Sequence, residues 1–148
     1  MTKLYLTSPT TGQVDIHYMR SVFLLQAECN KQRIPITLHL HKSSIVTFGR
    51  NACTAAFLSS NYTHMLFVDT DIQFDEKDIF NMLKMDKEVV LIPYPMKWYD
   101  WKKAEEMHTN YKIPMNQGGF HFPMKILDAD DFVLDDGCIE IERGPAGC

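Results

Sequence analysis

Apolar and polar positions along this chain alternate between two periods. Residues 3–7 read as a short first strand, followed by the loop Ser8-Pro9-Thr10-Thr11-Gly12. Asp15 then suits the N-cap of a helix running to about Lys31. Ile16, Met19, Val22, Phe23 and Ala27 recur at helical spacing and are its expected inward face. Pro35 closes a turn, and residues 36–41 alternate as a strand does. Gly49-Arg50-Asn51 opens a second predicted helix through about Ser60, with Ala52, Ala55 and Ala56 as a small-residue face for close packing on a sheet. An apolar run, Met65-Leu66-Phe67-Val68, leads straight into Asp69-Thr70-Asp71, and reads as a central strand buried on both faces. Asp75 is the expected N-cap of a third helix ending near Met85, and residues 88–92 form another apolar strand stopped by Pro93 and Pro95. The order βαβαβαβ predicts an α/β fold with a mainly parallel sheet and right-handed crossovers.

Beyond Pro95 the pattern changes. Trp98-Tyr99-Asp100-Trp101 leads into a charged helical piece ending near His108. Gly118-Gly119 and Asp136-Gly137 mark turns, and residues 120–127 and 138–142 read as strands of a small antiparallel element. A length of 148 residues suits one domain with a real core. Hydrophobic content of 45% and charged content of 23% are those of an ordinary globular chain. A net charge of -4 without a basic block argues against nonspecific nucleic-acid binding, so an anionic ligand needs a local device such as a metal, an Arg or a helix N-terminus. The four cysteines form no C-x-x-C pair and read as reduced thiols. No apolar run has the length of a signal h-region or a membrane span, which makes the expectation cytoplasmic. Asn61-Tyr62-Thr63 then reads as a turn rather than a glycosylation site.

The candidate chemistry lies at the end of the third strand. Side chains alternate along a strand, so Asp69 and Asp71 are expected to point the same way. Two carboxylates at the carboxyl end of a strand sit where open α/β sheets bind ligands. Hard oxygen ligands of this kind suit Mg²⁺ or Mn²⁺ bridging to phosphates. Spacing alone is weak: with 12 Asp in the chain, about one Asp-x-Asp arises by chance. A second pair, Asp128-Ala129-Asp130, lacks the preceding apolar run and reads as solvated surface. Arg50-Asn51, at a predicted helix start, adds backbone N–H groups and a guanidinium suited to a diphosphate. Trp98, Tyr99 and Trp101 offer either core or a platform for sugar rings; Asp100 among them suits either a helix N-cap or a general base.

Gly49-Arg50-Asn51, then Ala55-Ala56-Phe57-Leu58, then Tyr62 through Asp71 together resemble the core signature of GT-A fold glycosyltransferases. In the inverting family 2 group a Gly-x-x-Arg-Asn helix start precedes a hydrophobic strand ending in Asp-x-Asp by about 20 residues. Asp86-Lys87-Glu88-Val89-Val90 followed by Pro93-Tyr94-Pro95-Met96-Lys97 is similar to small soluble glycosyltransferases of phages and algal DNA viruses. The resemblance covers residues 3–101. It implies a Rossmann-like GT-A domain over residues 1–148, with a nucleotide-sugar-binding half at 1–97 and a partial acceptor-side half at 98–148. It further implies a UDP- or GDP-sugar donor and a glycan or other hydroxyl acceptor. Asp71 would coordinate Mn²⁺ or Mg²⁺ on the donor diphosphate, and Asp69 would contact the ribose or share the metal, with Thr70 between them. Arg50 and Asn51 would lie beside the nucleobase or phosphates, and Thr7 and Ser8 would line the nucleotide pocket.

Gly144-Pro145-Ala146-Gly147-Cys148 resembles a family stretch that leads into a further acceptor-side strand, and here the chain stops. The implied acceptor half is therefore shortened, and a second copy of the chain is one way to complete it. Two other readings stay open. Haloacid-dehalogenase-type phosphatases also place Asp-x-Asp after an apolar strand, with the first Asp as nucleophile. Their pattern departs from this chain at Gln73 and in the βα units that precede the motif. The other reading is a nucleotide-binding remnant without turnover.

Overall fold

The computed structural model describes residues 1–126, 134–135 and 138–144. The second Asp-x-Asp, the Asp136-Gly137 turn and the stretch after Gly144 lie outside the described residues. The chain divides into two compact units, one of Met1–Val90 and one of Leu91–Pro145.

The first unit is a three-stranded parallel sheet. Strand β1 (Leu4–Thr10) leads to helix α1 (Ile16–Lys31), β2 (Ile36–Lys42), α2 (Val46–Leu58), β3 (His64–Phe67) and α3 (Glu76–Lys84). The strand order is β2-β1-β3, with Leu4 opposite both Ile36 and His64. Alternation along β1 sorts the helices onto the two faces. Leu4 and Leu6 share a cluster with Tyr18, Val22, Leu25 and Cys29 of α1 and with Ile79 and Phe80 of α3. Tyr5, one residue out of phase, meets the Phe57 ring of α2 at 5.8 Å. Thus α1 and α3 cover one face and α2 the other. Each fully buried aliphatic side chain in that cluster contributes roughly 1.5–3 kcal/mol of burial free energy.

Local signals set the helix starts. Asp15 and Asp75 cap α1 and α3 by accepting from the backbone N–H groups of His17 at 2.7 Å and Lys77 at 2.8 Å. The inward face of α1 differs from expectation. Tyr18, Ser21, Val22, Leu25 and Cys29 are buried, whereas Ile16 is 77% and Phe23 64% exposed and Ala27 is exposed too. The helix is apolar on two sides, and the sheet selects one.

Helix α2 begins at Val46, earlier than predicted, so Gly49 lies inside it. A Cβ at Gly49 would sit 3.1 Å from Pro9 Cβ and 3.2 Å from Ser43 Cβ. Gly49 therefore marks where the helix presses on the end of β1 and the loop after β2, not where it starts. The expected alanine face is also rotated: Gly49 and Cys53 are buried, and Ala55 is exposed.

β1 runs on through Pro9. Lys3 O and Thr7 O accept from β3-side N–H groups, so odd-numbered residues of β1 turn their peptide groups toward β3. At Pro9 the pairing with β3 has already ended, and the missing N–H breaks no ladder bond.

Two strand expectations are corrected. β3 is an edge of the sheet, not central, and its first residues, His64 and Met65, are exposed. Residues 88–92 form no strand, and Val89 is 84% exposed. Asp86 in the left-handed region at φ 49° turns the chain before this run, and Pro93 and Pro95 supply no N–H after it. Without that strand nothing flanks β3 among the described residues.

The second unit holds α4 (Trp101–Tyr111), the short α5 (Met115–Gly118), β4 (Lys125–Ile126), β5 (Leu134–Asp135), β6 (Cys138–Ile139) and β7 (Ile141–Arg143). β4 pairs with β7 and β5 with β6, both antiparallel. The antiparallel element is present, but its strands are shorter than the runs at 120–127 and 138–142 implied. No helix among the described residues is long and apolar enough to cross a membrane.

Candidate functional site

Parallel strands deliver their carboxyl ends to one edge, and the loops leaving β1, β2 and β3 meet there. β1 and β2 send their chains to opposite faces, which opens a crevice between their ends. An open hollow of about 270 Å³ occupies it, lined by residues 9–11, by Ser43, Ser44 and Val46, and by residues 69–71. The size admits a diphosphate with part of its substituent rather than a whole enclosed ligand.

The carboxylates reach this hollow by a turn. β3 ends at Phe67, so strand alternation does not orient Asp69 and Asp71 as expected. Ile72 N donates to Asp69 O at 3.1 Å and closes the turn. Asp15 N donates to Thr70 O at 2.9 Å, and Thr70 Oγ1 donates to Gln13 O at 3.4 Å. Asp15 thus caps α1 with its side chain and anchors the Asp69–Ile72 turn with its backbone.

Arg50 approaches from the second turn of α2. Its Nη2 lies 3.4 Å from Asp69 Oδ2 and 3.5 Å from Oδ1. The guanidinium carbon stands 5.7 Å from the centroid of the Phe67 ring. Both partners are partly buried, with side chains 34% and 26% exposed. Arg50 Nε is buried without a hydrogen-bond partner among the described residues. The expected helix-start anion site is corrected: α2 starts at Val46, so the backbone N–H groups of Arg50 and Asn51 are past its free first turn. Asn51 is exposed on α2 and is not among the residues lining the hollow.

Thr7 and Ser8 stand one step too deep to line it. Both are fully buried. Thr7 Oγ1 pairs with His39 Nδ1 at 3.1 Å, and Ser8 Oγ with Tyr18 OH at 2.7 Å. Burial pushes the Tyr18 phenol above its ordinary value, and the Ser8 hydrogen bond offsets part of that. The residues that follow, Pro9 and Thr10 at the end of the strand and Thr11 after it, take the lining position. Sequence reasoning missed these and the Ser43-Ser44 pair; the only available signal was a run of small polar residues after each strand.

Asp100 belongs to the second unit, where it is the N-cap of α4. Its Oδ1 accepts from Lys103 N at 3.0 Å. The backbone N–H groups of Lys103 and Lys102, with His121 beyond them, hold its carboxyl below the usual carboxylate range. A lowered pKa suits a cap and a hydrogen-bond acceptor more than a proton-abstracting base. His121 Nε2 lies 3.7 Å from Asp100 Oδ2, a proximity no spacing in the sequence announced.

Among the described residues, no group of three or more His, Cys, Asp or Glu side chains is arranged to hold a metal by itself. Asp69 and Asp71 make a two-carboxylate set of hard oxygens. That set fits Mg²⁺ or Mn²⁺ when a ligand's phosphate oxygens and water complete the shell.

No protein-family model, no curated protein and no solved structure matches the chain.

Proposed function

We propose that the hollow binds the diphosphate of a nucleotide sugar with a divalent metal, and that the protein transfers the sugar to an acceptor hydroxyl. The observation that carries this reading is the meeting of Arg50 and Asp69, distant in sequence, beside Asp71 at the open ends of parallel strands. Two carboxylates, Asp69 and Asp71, line the hollow on its β3 side. A diphosphate beside two carboxylates is favoured when a divalent cation comes with it, so binding should depend on the metal.

Asp69 and Asp71 would hold the ion through their carboxylates. When bound, the ion stabilises the negative charge that develops on the departing nucleoside diphosphate. Arg50 keeps the Asp69 carboxylate oriented and adds a positive charge beside the phosphates. The acceptor oxygen forms the new bond to the anomeric carbon as the bond to the β-phosphate breaks. The electron pair leaves with the diphosphate, and the hydroxyl proton passes to a base or to water.

The test is a thermal-shift and calorimetric series of UDP, GDP and their sugar conjugates, with and without Mn²⁺, on wild type and Asp71→Asn. Nucleoside diphosphate at about a hundredfold over its Kd should stabilise the wild type by about 2.7 kcal/mol. That gain should vanish without Mn²⁺ and in Asp71→Asn. The reading fails if no nucleoside diphosphate stabilises the protein in a metal-dependent way. Phosphate release from a simple phosphate ester without sugar transfer would point to a phosphatase, and metal-dependent binding without turnover of any donor to a non-catalytic role.

A further inference from the structure

Residues 96–100 of the second unit are clipped to residues 119–121. Met96 N donates to His121 O at 2.7 Å, and Asp100 N donates to Gly119 O at 3.0 Å. The approach is so close that a Cβ on Gly119 would fall 2.5 Å from both Asp100 O and the Tyr99 ring. Only glycine fits there, so the two segments are held as one rigid piece.

Trp98 projects from this clip. One face of its indole stacks on His121, with ring centroids 4.2 Å apart and planes 24° from parallel. It is still 48% exposed. His121 in turn stands beside the Asp100 carboxylate. Asp100 uses Oδ1 to cap α4, which leaves Oδ2 with hydrogen-bonding capacity. The side chain is 36% exposed. A half-exposed indole braced by His121, with a partly exposed carboxylate two residues along the same clipped segment, suits one ligand chemistry. A pyranose ring offers an apolar C–H face for the indole and hydroxyl donors for the carboxylate. A purely apolar partner would leave Asp100 desolvated without a donor.

We infer that Trp98, backed by His121, and Asp100 form a binding site for a pyranose ring. As the acceptor's sugar, this ligand rests on the glycosyl-transfer reading above; as a sugar-binding site of the second unit, it does not. Preorganisation is the device: Trp98 needs little ordering on binding because His121 already holds it.

Trp98 and Trp101 are the only two tryptophans of the chain, so intrinsic fluorescence reports on this segment directly. The experiment titrates methyl glucopyranoside, methyl galactopyranoside, methyl mannopyranoside and N-acetylglucosamine into the full chain without nucleotide or metal. Glycerol serves as the non-ring control. At least one pyranoside should give a saturable emission change. Trp101→Phe, which leaves Trp98 as sole reporter, should keep it. Trp98→Ala should weaken binding about tenfold by calorimetry. Asp100→Asn keeps a competent helix cap but loses the charged acceptor, and should weaken binding severalfold while the chain stays folded. The proposal is overturned if no pyranoside saturates, if glycerol matches the sugars, or if Trp98→Ala binds as wild type does. Sugar binding without metal-dependent nucleotide binding would retain this site and remove the donor reading; the reverse result would do the opposite.

Discussion

Replacing Ser8 by Ala tests whether the end of β1 is structural or ligand-facing. Ser8 Oγ and Tyr18 OH pair at 2.7 Å, and both residues are fully buried. Ser8→Ala leaves the Tyr18 hydroxyl in the core without its partner. An unsatisfied buried hydroxyl costs about 1–3 kcal/mol. Tyr18→Phe strands the Ser8 hydroxyl at a similar cost. The double variant removes both polar groups, so its loss should fall short of the sum by about 1–2 kcal/mol. In a unit of this size each kcal/mol moves the midpoint by about 4–8 °C. Far-UV circular dichroism in urea is the suitable assay, because it follows the helices of the first unit while both tryptophans lie in the second. Nucleotide affinity per folded molecule should be unchanged in Ser8→Ala. Stability equal to wild type, or strictly additive losses in the double variant, would refute the buried pair. A loss of nucleotide affinity at full stability would return Ser8 to the pocket.

Two further outcomes follow from burial. Val89→Lys should shift stability by no more than about 0.5 kcal/mol, because Val89 is 84% exposed; a loss of 2 kcal/mol or more in urea unfolding would restore the missing strand. Stability should also decline in alkali. Burial raises the Tyr18 phenol, and burial followed by Glu28 raises the Cys29 thiol, so the folded state keeps both neutral while the unfolded chain ionises first. Their contribution is intact below the ordinary values of about 8.5 for Cys and 10 for Tyr, and is lost as pH rises through the higher folded values. Tyr18→Phe should flatten that decline above about pH 10, measured by urea midpoints across a pH series.

The amino-acid sequence by itself determined the features that depend on a few neighbouring residues. Asp15 and Asp75 stop the chain into helices because their carboxylates reach the first free N–H groups of their own segments. The alternation of short apolar runs with helical stretches fixed three parallel strands and brought Asp69-Thr70-Asp71 to a carboxyl end. The tertiary structure alone decided what depends on distant partners. Which side of α1 turns inward is chosen by the sheet, since Ile16 and Phe23 are as apolar as the residues that pack. Gly49 reads as a helix boundary in sequence and as a contact with Pro9 and Ser43 in space. Thr7 and Ser8 face inward because His39 and Tyr18 offer them partners. The run at 88–92 has strand composition but no strand, because pairing needs an approach that Asp86, Pro93 and Pro95 turn aside. Capping and periodicity are set by bonds spanning a few residues; burial and pairing are set by what the rest of the chain brings alongside.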